Sequence, residues 1–367
     1  LEVAAVGSVD VAGSAPMDRG TIFRIASLTK PVTAAAVSML VDEGRIGLDD
    51  PVGRWLPELA EPVVVRDPAG PVDDVVPAAR PVTVADLLSS RAGHGFPADF
   101  SLPAVQPLFA EVHSHPLEPQ HHAAADEWLA ALGRIPLLHQ PGEGWLYNTS
   151  SDVQGVLVSR VTGRPLPEFL AERIFEPLGM VDTGFAVPAA ELGRFTSMYR
   201  PTAEGGLELL DEPAGQWSRP PAFPSGAGGL VSTVDDLLAF ARMLLADGGG
   251  LLSAESVRRM TTDHLTPAQR EAGRLFLEGQ GWGYGGSVDV AAVDPWNVPG
   301  RYGWVGGSGT AAHLVPATGA VAILLTQVTM TGPTPPEPMR EFWRYAAGVT
   351  SGSGGGAGPG SASRAAS

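Results

Sequence analysis

Of the 24 basic residues in the chain 23 are arginine, and the single lysine, Lys30, stands three residues after a serine in S-L-T-K, Ser27 to Lys30. A guanidinium does not release its proton in a protein, whereas a buried amine can. A chain that uses arginine almost everywhere and keeps one lysine points to a need for the amine at that place. Residues three apart share a helical face, so a helix opening on S-L-T-K brings the Lys30 amine to the Ser27 hydroxyl. The helix N-terminus adds positive potential and free N–H groups beside it. The flanking F-R-I-A and P-V-T-A are apolar, which predicts a partly buried lysine with a lowered pKa. Alone, S-x-x-K is a weak pattern whose ordinary reading is an N-capping serine followed by a surface lysine, so its setting has to decide.

The elements that must carry this pair follow from periodicity. Residues 28–43 predict an Ala-rich helix with Val32, Ala36, Met39 and Leu40 on one stripe, Pro31 in the first turn and Gly44 as the stop. The stretch before it, 1–25, reads as a strand hairpin, and 57–82, rich in Pro, Val and Asp, reads as a connection. Short helices are predicted at 83–90, with Thr83 as N-cap, and at 123–133, 150–162 and 166–175. From Gly226 the pattern changes, with a helix at 233–246, strands at 281–290, 301–315 and 319–329, and a turn from Pro316 to Gly319 joining the last two. A closing helix, Pro338 to Ala347, carries Met339, Phe342, Trp343 and Ala346 at core spacing. Beyond it, 349–367 has the Gly, Ser and Ala composition of a disordered tail.

With these elements in place, Ser27 to Lys30 in its apolar frame resembles the nucleophile motif of class C β-lactamases, penicillin-binding proteins and their esterase relatives. Further segments agree in order: D-L-L-S-S-R-A-G (Asp86 to Gly93), P-G-E-G-W-L-Y-N-T (Pro141 to Thr149), I-F-E-P-L-G-M (Ile174 to Met180) and G-G-L-V-S-T (Gly228 to Thr233). An ordered set spanning about residues 1–345 is far more specific than any one motif. The resemblance puts the family tyrosine at Tyr147, and Thr149 where the family has an asparagine two residues later. It implies an α/β (α+β) fold: an antiparallel sheet flanked by helices, from 1–80 and 225–348, and a mainly helical lobe, 81–224, with the site between them. Were Leu1 the true start, the family's first helix and strand would be missing and a sheet edge left open.

The mechanism implied is acyl transfer, with Ser27 attacking a carbonyl and Lys30 and Tyr147 passing the proton as base and then acid. The oxyanion hole by the same comparison is the backbone N–H of Ser27 and of Gly307. The family's third motif, Lys or His then Thr or Ser then Gly, is here Trp304, Val305, Gly306. With no cation to receive a substrate carboxylate, the site favours esters without that group, as in the β-lactamase-like carboxylesterases. Thr149, Trp304, Val305 and Gly306 are then the substrate-binding candidates. Trp304, with Tyr302 beside it, suggests small apolar acyl groups.

Composition limits the alternatives. At 367 residues and 44% hydrophobic content the chain can bury a sizeable core. A net charge of −16 opposes nucleic acid and anionic membranes and leaves a small-molecule ester or amide as the fitting partner. There is no cysteine, hence no disulfide, thiolate nucleophile or cysteine-held metal; no cofactor or metal is expected. No apolar run reaches membrane-span length. The chain reads as cytoplasmic, with a lost N-terminal leader as the alternative.

Three competing readings carry named residues. G-G-S-G-T, Gly306 to Thr310, mimics a nucleophile elbow but has Thr where the second Gly belongs, and a Ser308–His313 hydrolase leaves the unique lysine unexplained. His113, His115, His121 and His122 lie in what reads as a loop, without metal-ligand spacing, so solvated histidines are expected; these histidines or Trp128 are placed to touch substrate if the loop overhangs the site. A decayed relative that only binds ligand stands as the reading of another class, against which the retained Ser27, Lys30 and Tyr147 weigh. Among hydrolases, β-lactamase, D-aminopeptidase and carboxypeptidase remain the rivals to esterase.

Overall fold

The computed structural model describes residues 1–113, 118 and 121–351. Strand β1 (Phe23–Arg24) leads through one 3-10 turn, Ala26–Leu28, into α1 (Thr29–Asp42). A small hairpin, β2 (Val63–Val65) and β3 (Val75–Pro77), precedes α2 (Val84–Leu88), α3 (Gln106–Glu111), α4 (Ala125–Leu132), α5 (Thr149–Thr162) and α6 (Leu166–Leu170). A π turn, Ala171–Phe175, joins α6 to α7 (Glu176–Leu178), and a second hairpin follows, β4 (Met198–Pro201) with β5 (Leu207–Asp211). Then come β6 (Val231–Ser232), α8 (Val234–Leu245), α9 (Ala254–Met260), α10 (Pro267–Ala272) and α11 (Arg274–Leu277). The main sheet is β7 (Gly281–Trp282), β8 (Ser287–Val288), β9 (Tyr302–Gly306), β10 (Thr310–Val315) and β11 (Ala320–Leu324), before α12 (Glu337–Ser351).

The helix that follows Ser27 differs from the predicted stripe. All twelve residues from Thr29 to Leu40 are buried, the pattern of a helix enclosed on every side rather than laid on a surface. Its alanines allow this, because small side chains let α5 and α9 pack closely against it. Gly44, at φ +67°, ends it as expected.

The five strands run antiparallel in the order β11-β10-β9-β8-β7. Every residue of β9 is buried, and Trp304 pairs with Ala312 on β10. The turn after β10 uses Gly319 at φ +69°, a conformation that suits glycine. Both α8 and α12 pack against β11, with Met339 and Trp343 of α12 buried as their spacing foretells.

Further sequence expectations need correction, among them 301–315, which is a hairpin of two strands, β9 and β10, rather than one strand. Residues 1–20 form no strand hairpin: Ser8 and Pro16 make one isolated bridge, and Leu1, Val6 and Val11 lie in solvent, where alternation without a covering partner gives a strand no apolar face to bury. The connection at 57–82 holds the β2–β3 hairpin. The stretch 281–290 is two short strands, β7 and β8, which pair with each other. Finally, α12 runs on through Ser351, past the predicted start of the tail; the rest of the tail lies outside the described residues.

A buried ion pair ties β1 to the second hairpin. The Arg24 guanidinium donates to the Asp211 carboxylate and to the Thr196 carbonyl, and lies 4.0 Å over the Phe195 ring. Removing one partner of such a pair strands a charge in the interior, at about 3–5 kcal/mol. Asp211→Ala should therefore lower the urea or thermal unfolding free energy by about that amount; a loss below about 1 kcal/mol, the surface-pair range, would show that the pair does not brace β1.

Candidate active site

Ser27 sits in the turn between β1 and α1, next to Ala26, which holds the left-handed conformation at φ +45°. A non-glycine residue there is under strain that its surroundings must offset. The β9–β10 turn does so. Ser308 Oγ donates to the Arg24 carbonyl at 2.6 Å and Thr310 Oγ1 to that of Ile25 at 3.1 Å. A Cβ on Gly306 would stand only 2.5 Å from the Ile25 carbonyl. The G-G-S-G-T segment is thus the surface on which the nucleophile turn is docked. Its supposed elbow partner, His313, is buried with its ring against Trp343.

Lys30 is fully buried, deeper than the sequence suggested. Its amine donates to Ser27 Oγ at 2.8 Å, Asn148 Oδ1 at 2.8 Å and the Ala227 carbonyl at 2.7 Å. Desolvation drives its pKa down, the Asp152 carboxylate works in the opposite sense, and the amine comes to rest at about 7. An amine poised there releases its proton near neutrality. The contact then reverses, and the Ser27 hydroxyl donates to nitrogen.

Tyr147 closes the triad from the other side, its hydroxyl donating to Ser27 Oγ at 2.8 Å. The indole N–H of Trp304, a donor only, gives a 2.7 Å hydrogen bond to the same phenol oxygen. Burial pushes the Tyr147 pKa up to about 12, against the lowering effect of its hydrogen bonds with Ser27 and Trp304. Around it stand Phe276, stacked at 4.8 Å between ring centroids, Trp145, Trp282 and Phe96. Phe96 and Tyr147 also exchange backbone hydrogen bonds, so the D-L-L-S-S-R-A-G landmark leads into the segment that holds the tyrosine.

A cavity beside Ser27 is lined by Asn148, Asp152, His113, Gly228, Gly307 and Arg24, among others. Among the described residues, neither the Ser27 nor the Gly307 N–H is used by a hydrogen bond of the fold, which leaves both able to meet an oxyanion. Arg24 is the cation nearest this chemistry in sequence, and its guanidinium is taken up by Asp211 and the Thr196 and Glu212 carbonyls.

Several predicted site residues fall elsewhere. The amide that meets Lys30 belongs to Asn148, not to Thr149. Asn148 is the N-cap of α5 at φ +78°, ψ −70°, and its side chain makes no capping bond, so its oxygen is turned to the lysine. Thr149 is buried and bonds His113 Nε2 at 2.9 Å. His113 is therefore not solvated; burial, then His122, press its pKa down to about 3. Trp128 is stacked on Phe223 with its N–H on the Val112 carbonyl, and Tyr302 donates its hydroxyl to the Tyr284 carbonyl within the core; neither is exposed to substrate. Val305 is buried, and Trp304 meets Tyr147 rather than the cavity. His115 lies outside the described residues. Among the described residues no cluster of His, Cys, Asp or Glu is placed to hold a metal, and no helix is long and apolar enough to cross a membrane. Sequence reasoning passed over Asn148 and Ala227: the first is adjacent to Tyr147 and was displaced by counting to the second position, and the second acts through its backbone, which leaves no side-chain signal.

The β-lactamase family profile matches residues 2–347. The chain is 41% identical over 341 residues to Protein Rv1367c of Mycobacterium tuberculosis, covering 89% of this chain and 82% of that one. It is 30% identical to Esterase EstB of Burkholderia gladioli, over 90% and 84% of the two chains. Among solved structures it is similar to EstCE1, described as a hydrolase with promiscuous acyltransferase activity, with a TM-score of 0.76, 26% identity, and coverage of 93% and 88%. Set beside the Ser27, Lys30 and Tyr147 geometry, these matches show that the chain belongs to the β-lactamase family, serine hydrolases whose members include esterases and acyltransferases.

Proposed function

We propose that this protein is a carboxylesterase working through an acyl-enzyme on Ser27. The observation that carries the reading is the convergence of the fully buried Lys30 amine and the Tyr147 hydroxyl on Ser27 Oγ, each at 2.8 Å, with Ser27 itself open to the cavity. Neutral Lys30 takes the Ser27 proton as Oγ bonds to the ester carbonyl carbon. The oxyanion is met by the N–H groups of Ser27 and Gly307. The proton passes by way of Tyr147 to the alkoxide oxygen as the carbon–oxygen bond breaks and the alcohol leaves. Water then adds to the acyl carbon, its proton returns through the same pair to Ser27, and the acid is released.

Two features favour esters over β-lactams or peptides that carry a free carboxylate. The third motif offers Trp304 in place of a cation, and Trp304 is engaged with Tyr147. The Arg24 guanidinium, which lines the cavity, is held by its own partners. Aromatic rings around Tyr147 suit an apolar substrate, and Phe100, 40% exposed and in edge contact with Phe276, extends them outward. The cytosolic or exported setting does not enter this reading.

Three outcomes test it. Ser27→Ala and Lys30→Arg should each remove p-nitrophenyl butyrate hydrolysis by about a thousandfold or more, and Ser27→Ala should abolish fluorophosphonate labelling; retained turnover in either variant would place the nucleophile or base elsewhere. Because the active form is the free amine, kcat/KM should fall about tenfold per pH unit below about 7. It should stay flat toward pH 10, since the tyrosine titrates near 12; a flat profile through pH 5 would contradict Lys30 as base. Trp304→Phe keeps the aromatic packing and removes the N–H, so kcat should drop about tenfold with KM little changed; a change confined to KM would make Trp304 a substrate contact instead.

A further inference from the structure

Asp152 is a carboxylate in the first turn of α5, five residues beyond Tyr147, and only 3% of it is exposed. Burying a carboxylate is costly unless the surroundings hold it. Its Oδ1 accepts from Ser225 Oγ at 2.6 Å and from the Ala227 N–H at 3.1 Å. Ser225 Oγ in turn accepts from the Gly228 N–H at 3.1 Å. The carboxylate therefore gathers a tight loop, Ser225 to Gly228, whose next backbone group, the Ala227 carbonyl, is one of the three acceptors around the Lys30 amine. The loop has no slack against α5: a Cβ on Gly226 would come within 2.4 Å of the Ser151 carbonyl.

We propose that Asp152 is the positioning residue of the catalytic lysine, fixing the Ala227 carbonyl against the amine and supplying the buried negative charge that opposes the amine's desolvation. It also lines the cavity beside Ser27, but in this role it acts through Lys30. The inference rests on the reading of Lys30 as the base. The groups facing the amine are few: Ser27 from the nucleophile turn, the Tyr147 ring 4.6 Å away, Asn148, the Ala227 carbonyl and Asp152. His113 and His122 line the same cavity; His113 is kept neutral by burial and by the charges of His122 and Lys30, and His122 interacts with the Asp152 charge. Burial raises the Asp152 pKa, and the bonds from Ser225 and Ala227 and the nearby positive charge pull it back. The carboxylate and the amine thus steady each other's charged forms. No comparable negative group is contributed by the third motif, which is Trp304, Val305, Gly306.

Because Lys30 is the chain's single lysine, the full-length protein made with carbon-13 at lysine Cε gives one lysine signal, and its midpoint can be read directly by NMR without any substrate. The wild-type midpoint should lie near 7. Asp152→Asn keeps the shape and an acceptor oxygen but removes the charge, so the midpoint should fall by about one unit or more, and the acid limb of kcat/KM should move down with it. A folded Asp152→Asn whose Lys30 midpoint stays within about 0.3 unit of wild type overturns the proposal, since one neighbouring charge in a dry site is worth more than that. Loss of rate at every pH without that shift would mark Asp152 as structural only and likewise overturns it. Should that variant fail to fold, Ser225→Ala loosens the same loop without altering charge and should move the midpoint down by a smaller amount; no movement there overturns the proposal too. A protein that shows these titrations yet hydrolyses no ester would sink the esterase reading and leave the assignment of Asp152 standing.

Discussion

A lysine amine with no access to solvent must be given hydrogen-bond acceptors by the protein or be held without its proton. Most of the site follows from meeting that requirement at Lys30. Three acceptors arrive from three separate stretches of chain: Ser27 from the preceding turn, Asn148 from the start of α5 and Ala227 from the loop before β6. A shift of about an ångström in any of the three would unmake a hydrogen bond to a lysine that is itself fully buried. Strained backbone is accepted at Ala26 and Asn148 for the same end. The helix that bears the lysine is built for enclosure, buried from Thr29 to Leu40 and packed against α5 and α9.

The second half of the site is organised around the Tyr147 oxygen. Trp304 donates to it and cannot accept, so the phenol proton is directed at Ser27. A lysine at the same position would act on this tyrosine by charge; an indole acts by direction, among aromatic neighbours that pack around the phenol ring. Trp304, which the resemblance puts at the family's third motif, is turned inward and holds the tyrosine.

How much of this could be read from the residues depends on which interactions have a local signature. Ser27 and Lys30 did, because helical spacing alone puts them in contact. Gly44, Gly319 and the Thr83 cap were legible for the same reason: each answers a demand of its own turn. The π turn at Ala171–Phe175, within the stretch expected as one helix, had no such mark. Asn148 escaped because its role depends on an unusual backbone angle, and counting to the family's usual position lands on Thr149. His113 looked like a loop histidine by composition, and only tertiary packing places it against Thr149 and Trp128. Ala227 and Asp152 act through a carbonyl and through a loop clamp, neither of which a side-chain pattern encodes. The first twenty residues show the converse error, in which alternation was present but only Val9 is buried and the pairing stops at one isolated bridge, Ser8 with Pro16.

The central claim is that Ser27 is the atom that carries the acyl group. Mixing the protein with a slowly released ester, quenching in acid during turnover and mapping peptides by mass tests it most directly. The account expects the acyl mass on the peptide that contains Ser27. An adduct on another residue, such as Ser308, or steady ester turnover with no adduct under conditions where release is slow, would contradict it.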